Sequence, residues 1–337
     1  MKILFLGMGS IGQRHLQNIQ FLYGKDVECF AVRNTSHNNH IKDGIATTVK
    51  DLNEYYQIGA FDTLDRAFDE NEYDAVFITN PSSMHSKTIL NCLDFDTNIF
   101  VEKPLCISVE EAEEIRDKLT NTKSILYIGY QTHFDPIFKK AKELITSNEL
   151  GNVISARFEW CTFLPDHHKY EDYRTGYAAR SDLGGGVLLG LSHEIDMIYS
   201  LFGMPDKFKA IESKNIKLEI DADDTVMALC GYSKGVQSFP LSLTLSYSQV
   251  FETRNFRVQF ESGFIDCDLN SGRISVIDRN KSEAPEIFES NMSRNEIFIA
   301  QMKGFIDAVN CQDISISNIN DSINVLKFIE NIKKAIT

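Results

Sequence analysis

Residues 2–12 read Lys2-Ile3-Leu4-Phe5-Leu6-Gly7-Met8-Gly9-Ser10-Ile11-Gly12, a short apolar run that passes directly into three spaced glycines. Such a run suits a buried strand, and residues 10–23 carry apolar side chains at helical spacing. The glycine pattern is weak alone, but between a strand and a helix it reads as a dinucleotide-binding turn. Gly7 makes the tight turn, Gly9 lets the backbone approach a pyrophosphate, and Gly12 lets the helix lie close to the strand. Ser10 and Ile11 open the helix, whose N-terminal amides and dipole attract the phosphates. The run is too short to span a membrane and lacks a small-residue cleavage site, so a cytoplasmic protein is expected.

Outward from this turn the chain alternates between strand and helix. Strands are expected over 27–32, 75–79, 98–101 and 125–129, with helices over 64–70, 84–93 and 109–119; 36–60 shows no clear rhythm. This order implies parallel pairing with right-handed crossovers, hence an N-terminal Rossmann, doubly wound sheet. The second strand ends Val32-Arg33-Asn34, without the acid that usually holds the ribose hydroxyls of NAD. Arg33 and Asn34 suit a ribose phosphate instead, which favours NADP, with NAD the alternative. A later strand runs into Glu102-Lys103-Pro104, at the carboxyl edge where ligands of such sheets bind. A lysine there can donate to a reacting oxygen and stabilise an alkoxide, and the proline stiffens the turn and can take a cis bond.

A length of 337 residues suggests two domains, 1–122 for the dinucleotide and 123–337 for substrate binding and oligomerisation. In the second, helices are expected over 136–147, 186–202, 296–309 and 321–336. Strands are expected over 153–163, 225–232, 237–248, 256–260, 263–268 and 273–277. The pattern reads as an α+β domain with a large, mostly antiparallel open sheet. Its uncovered face is available for a homodimer or homotetramer contact. Apolar residues make up 43% and charged residues 24%, which fits a globular α/β chain. A net charge of −14 opposes nucleic-acid and anionic-membrane binding. The seven cysteines are scattered with no CxxC pair, so buried free thiols are expected rather than disulfides or zinc.

Several of these pieces together resemble the Gfo/Idh/MocA family, over essentially the whole chain. The residues that carry the resemblance are Gly7 to Gly12, Thr79-Asn80-Pro81 with His85, and Glu102-Lys103-Pro104. To these are added Gly129-Tyr130-Gln131 through Phe134-Asp135-Pro136, and Gly184-Gly185-Gly186 leading to His193-Glu194-Ile195-Asp196. The resemblance implies a nicotinamide cofactor over Gly7 to Gly12. Thr79, Asn80, Pro81 and His85 would then lie near its ribose and nicotinamide, and Glu102 and Lys103 beside the reacting carbon. It also implies that Lys103 and His193 share the proton work, and His193 has a suitably near-neutral group for it. Asp196, one turn along, is a candidate to orient the His193 ring. Many relatives carry an aspartate four residues before that histidine, where this chain has Leu189. A role taken over by Asp196, a rearranged relay and weak catalysis each account for that departure.

The loop from Asp166 to Arg174 is dense in groups that hydrogen-bond hydroxyls. Tyr170, Asp172, Tyr173 and Arg174, with Tyr130, Gln131 and His193, are the expected substrate-binding residues for a sugar-like molecule. Adjacent His167 and His168 are not expected to converge on a metal. His15, His37 and His40 show no constellation around them, and Trp160, mid-strand, is expected in the core. The expected function is NAD(P)-dependent hydride transfer to or from a secondary alcohol or ketone of a sugar, nucleotide sugar or cyclitol. The run Tyr170-Glu171-Asp172-Tyr173-Arg174 resembles family members linked to bacterial surface-polysaccharide sugar synthesis. The alternatives are a non-catalytic NADP-binding redox sensor, and a redox-assisted hydrolase or epimerase without net cofactor turnover.

Overall fold

A computed structural model of the chain describes residues 1–33, 38–42, 44–215, 217–233, 238–311 and 318–337. They form two compact units. One comprises Met1–Tyr130, His167–Asp172 and Phe298–Ile323, the other Gln131–Asp166, Tyr173–Ile297 and Asn324–Thr337.

The first unit contains β1 (Lys2–Leu6), α1 (Ser10–Tyr23), β2 (Glu28–Val32), β3 (Asn39–Lys42), β4 (Ile45–Thr48), α2 (Leu52–Tyr56) and β5 (Gly59–Phe61). It continues with α3 (Leu64–Glu70), β6 (Ala75–Ile78), α4 (His85–Leu93), β7 (Asn98–Glu102), α5 (Val109–Leu119) and β8 (Leu126–Gly129). Six strands pair in parallel in the order β5-β2-β1-β6-β7-β8. Both faces are covered, so the central strands are almost wholly apolar and buried, as in Ile3 to Leu6 and Ala75 to Ile78. The helix starts follow local chemistry: the Ser108 hydroxyl accepts from Glu111 N–H, and acids fill the first turn of α5 while Arg116 and Lys118 fill its last. The unread segment 36–60 holds the β3–β4 hairpin, α2 and β5, elements of three to five residues that are too short to show a period.

The second unit opens with α6 (Pro136–Thr146), β9 (Val153–Phe163), α7 (Val187–Gly190) and α8 (His193–Phe202). There follow β10 (Lys207–Ser213), β11 (Thr225–Tyr232), β12 (Phe239–Ser246), β13 (Ser248–Phe260), β14 (Gly263–Asp268), β15 (Arg273–Asp278) and β16 (Ser282–Glu289). These strands make one sheet, β10-β11-β12-β9-β13-β14-β15-β16, antiparallel except for the β12–β9 pair. Phe158 and Phe256 stack at 4.8 Å on its covered face, while Ile211, Met227 and Leu229 are exposed. The helix expected over 186–202 is broken in two at Leu191 and Ser192, so His193 begins a helix rather than lying within one. The strand expected over 256–260 begins much earlier, at Ser248, with a register shift against β9 that periodicity cannot reveal.

Two helices close the chain, α9 (Arg294–Cys311) and α10 (Ile319–Lys334). The rings of α9 pack in the first unit, with Phe305 edge-on to Phe77 and Phe100 at 5.4 and 5.6 Å. Six cysteines are buried as expected, but Cys311, the last residue of α9, is exposed. No helix among the described residues is long and apolar enough to cross a membrane.

Candidate functional site

In the first unit the strand order reverses between β1 and β6, which opens a crevice at their carboxyl ends. Gly7, after β1, has φ 110, and a Cβ there would lie 2.7 Å from the carbonyl carbon of Thr79. Thr79 locks the crossing: its N–H donates to Leu6 O at 2.9 Å and its hydroxyl to Gly7 O at 2.7 Å. A Cβ on Gly12 would meet Gly7 O at 2.2 Å, so α1 can press onto the turn only through glycine. Gly9 differs: nothing lies within 4 Å of a Cβ there, and as the N-cap residue of α1 it brings no side chain to the helix start. Ser10 and Ile11 begin the helix beside the open space at Gly9, and the helix N-terminus has the polarity that a pyrophosphate needs.

The neighbouring strand ends supply the rest of this edge. Pro81 leads into the turn Ser82–Met84, and Asn80 donates to the Thr88 hydroxyl at 3.1 Å. His85 is buried with Nδ1 2.9 Å from Pro104 O and Nε2 2.9 Å from Asn80 O. It thus clamps the β6 and β7 turns together, and burial holds its pKa below the ordinary histidine value against the pull of those carbonyls. The Lys103–Pro104 bond is cis, and Lys103 is half-buried. Arg33 donates to Asn53 Oδ1 at 3.1 Å and lies near Asp51; Asn34 is outside the described residues.

Two histidines expected to stand alone do not. His15 is fully buried in α1, and its Nε2 lies 2.6 Å from Glu102 Oε1. His40 Nδ1 meets the Tyr56 hydroxyl at 2.8 Å with its ring against Tyr55, and His37 lies outside the described residues. For His15 the signal was present in the sequence: Gly12, His15, Leu16 and Ile19 share the buried stripe of α1.

In the second unit, His193 starts α8 fully buried, with Nδ1 3.1 Å from the Thr132 hydroxyl. Asp196 Oδ2 lies 2.9 Å from His133 Nε2, so the carboxylate expected to orient His193 is set against a different ring. Leu189, at the position of the missing aspartate, is buried in α7. Beside His193, whose ring centroid is 6.2 Å from that of Trp160, an unexpected group appears. Arg254 stacks on Trp160 at 3.9 Å and donates to buried Glu194 at 2.7 Å. Trp160 is accordingly half-buried rather than core, and its Nε1–H donates to Glu252 at 3.0 Å. Arg254 reaches this cluster from β13, nearly a hundred residues from Trp160, and nothing local in the sequence announces it. Asp135 caps α6 by accepting Ile137 N–H at 2.8 Å, and burial raises its pKa above the usual carboxylate value.

The polar loop is divided between the units. Tyr170 and Asp172 belong to the first, where the Tyr170 phenol is raised by burial and partly lowered by a hydrogen bond with Ser10 of the nucleotide turn. Tyr173 and Arg174 belong to the second, with Arg174 paired to Glu219 at 2.8 Å and Glu219 N–H donating to the Tyr173 hydroxyl. Tyr130 is buried at the end of the first unit, and half-buried Gln131 opens the turn that carries Thr132 and His133. His168 pairs with Glu171 at 3.0 Å, and no group of three or more His, Cys, Asp or Glu among the described residues is placed to hold a metal ion.

Comparison with known proteins bears on the same regions. Residues 1–130 match the family model described as the oxidoreductase family, NAD-binding Rossmann fold, and 138–266 match the GFO/IDH/MocA C-terminal domain. The chain is 28% identical over 44% of its length, and 41% of the relative's, to scyllo-inositol 2-dehydrogenase (NAD(+)) of Bacillus subtilis. It is 22% identical to D-xylose 1-dehydrogenase (NADP(+)) 2 of Haloferax volcanii, over 81% of each chain. The chain spans about half the length of the first curated relatives it matches. In fold it superposes on levoglucosan dehydrogenase in complex with NADH and levoglucosan with TM-score 0.83 and 16% identity, covering 99% of this chain and 96% of that one. With an NAD(P)-binding Rossmann unit, a large mixed sheet after it and both family models matched in order, the chain belongs to the Gfo/Idh/MocA family of oxidoreductases.

Proposed function

We propose that this protein moves a hydride between NADP, or NAD, and a secondary alcohol or ketone of a sugar, nucleotide sugar or cyclitol. The observation that carries the reading is the cradle at Gly9, open above the α1 N-terminus and on the same sheet edge as the Lys103 turn. When bound there, the nicotinamide supplies the hydride-accepting or hydride-donating carbon. Ser10, Ile11 and the Gly9 backbone bind the phosphates, and Thr79, Asn80 and Pro81 border the ribose. Lys103 donates to the reacting oxygen, steadying negative charge as the carbonyl and hydroxyl interconvert. His193 carries the exchanged proton on Nε2, because Thr132 engages Nδ1. Arg33 favours NADP through a ribose phosphate. The dinucleotide domain is assigned to 1–122 and the substrate and oligomerisation domain to 123–337. The cell compartment is the cytoplasm, and the uncovered face of the eight-stranded sheet joins subunits into a homodimer or homotetramer.

The polyol chemistry is proposed from the hydroxyl-binding side chains Tyr173 and Arg174 and from the polar groups around His193, and agrees with relatives named for inositol and xylose. A place in bacterial surface-polysaccharide synthesis follows from the Tyr170 to Arg174 run. The test is to titrate NADPH and NADH into the protein, then follow nicotinamide absorbance with keto-sugars, nucleotide keto-sugars and inososes. Turnover on at least one class is expected, lost in Lys103→Met and His193→Asn with nucleotide affinity kept. Tight nucleotide binding without turnover on any class, and without product by chromatography, would overturn the reading.

A further inference from the structure

His15 is a polar ring placed where packing alone calls for an apolar one. Its side chain is wholly inaccessible, its ring centroid lies 5.0 to 5.9 Å from those of Phe100, Phe298 and Phe77, and Nδ1 is buried with no hydrogen-bond partner among the described residues. Among the described residues, the polar contact of its side chain is Nε2 with Glu102 Oε1 at 2.6 Å. The Glu102 side chain is 10% exposed, and its other oxygen, Oε2, receives Lys103 N–H at 3.2 Å. Hydrogen-bonded ionisable pairs in apolar surroundings are seldom better for stability than well-packed hydrophobic residues, so stability does not account for this one.

Its position offers a different account. The pair ties α1, the helix that begins at the nucleotide cradle, to the end of β7, where the Lys103 turn begins. From the far side of that turn, His85 holds Pro104 O at 2.9 Å. The backbone that bears Lys103 is therefore held before the residue by His15 through Glu102, and after it by His85.

We infer that His15 is a positioning residue, which fixes the Glu102 carboxylate and through it the Lys103 backbone, so that cofactor helix and proton-donating lysine keep one geometry. The inference rests on the reading of Lys103 as the proton donor. His15→Leu leaves the Glu102 carboxylate without its side-chain partner and should lower the melting temperature; below that transition it should bind NADPH within about threefold of the parent, while kcat falls about tenfold or more at little-changed substrate KM. His15→Gln, whose amide nitrogen falls near the place of Nε2, should restore most of kcat.

A second readout needs no substrate: by hydrogen–deuterium exchange, the Lys103 amide should open about tenfold faster in His15→Leu and return towards the parent in His15→Gln. Parental kcat and exchange in a folded His15→Leu would overturn the inference, as would a loss of kcat that merely tracks nucleotide affinity. If His15→Leu does not fold, His15→Gln decides alone: parental kcat and Lys103 exchange support the role, and a loss of both in a stable protein refutes it. Lys103→Met separates the two readings, because unimpaired turnover there removes the premise, whereas an inactive Lys103→Met beside a normal His15→Leu removes only the inference.

Discussion

Replacing Thr132 by valine keeps the shape of the side chain and removes only the hydroxyl that meets His193 Nδ1 at 3.1 Å. Both residues are buried, Thr132 at 3% and His193 at 2% exposure, so water cannot readily take the place of that hydroxyl. Losing the bond removes about 1 kcal/mol, and a buried ring nitrogen left without it costs about 1–3 kcal/mol. If the bond selects the tautomer and tilt that present Nε2, most of this falls on the reacting state, and kcat drops about tenfold. Substrate KM should hardly change, because the lost atom faces the ring rather than the substrate. Thr132→Ser keeps the hydroxyl and should retain most of kcat. Steady-state rates by nicotinamide absorbance, with a melting curve for each variant, provide the assay. A Val variant with parental kcat, or equal losses in Val and Ser, would show that packing and not the hydroxyl matters.

Gly9→Ala should leave the melting temperature nearly unchanged, since its Cβ meets nothing and the backbone is extended, yet weaken NADPH at least about tenfold by filling the pyrophosphate approach; unchanged affinity by calorimetry would contradict the cradle. Arg254→Met strands Glu194, 1% exposed, and should destabilise the fold by about 3–5 kcal/mol in urea, with much of it regained in Arg254→Met/Glu194→Gln; a single variant as stable as the parent refutes the pairing. Asp135 has a folded pKa raised above 3.8, burial leading, with the amides of Ile137 and Phe138 and the charges of Arg254 and Lys139 opposing. Its contribution to stability is full below 3.8 and is lost as pH rises through the raised folded value, because the ionised form is the one disfavoured. Asp135→Asn keeps a cap without the charge and should gain in melting temperature over the parent as pH climbs from acid to neutral; a constant difference across that range would contradict the assigned cause.

The first sheet was legible because parallel strands covered on both faces must be apolar along their length, and Lys2 to Leu6 with its glycines states both the strand and its turn. The hairpin over 39–48 was not, since strands of four residues carry too few side chains to show a period. In the second unit the elements were visible, but the β12–β9 parallel pair and the early start of β13 depend on partners far along the chain. Motifs located Lys103 and His193, yet the groups they rest on were hidden. Thr132 belongs to a turn some sixty residues before His193, and Arg254 to a strand sixty residues after Glu194. Only His15 could have been found locally, as the one ionisable side chain on the buried stripe of α1.

The buried ionisable groups make the same division by cost. Taking such a group out of water is unfavourable unless it is paired, so a fold left to packing alone would place few of them inside. Among the described residues, the buried Asp, Glu and His side chains of the first unit are His15, His85 and Glu102, and each contacts the turn that bears Lys103. In the second, His193, Glu194 and Asp196 occupy the first turn of one helix, each against a named partner. The two remaining, Asp224 and Asp278, receive backbone amides from Asn215 and Asn280 and are accounted for by loop structure. Once those two are set aside, the buried Asp, Glu and His side chains described in each unit converge on a single turn. A stability scan should therefore find that replacing both partners of such a pair by apolar residues is tolerated thermally but not catalytically, whereas replacing one alone costs stability; if the His15/Glu102 double replacement proved as damaging to the melting temperature as loss of Phe77 or Phe100, the distinction between packing and function drawn from burial would fail.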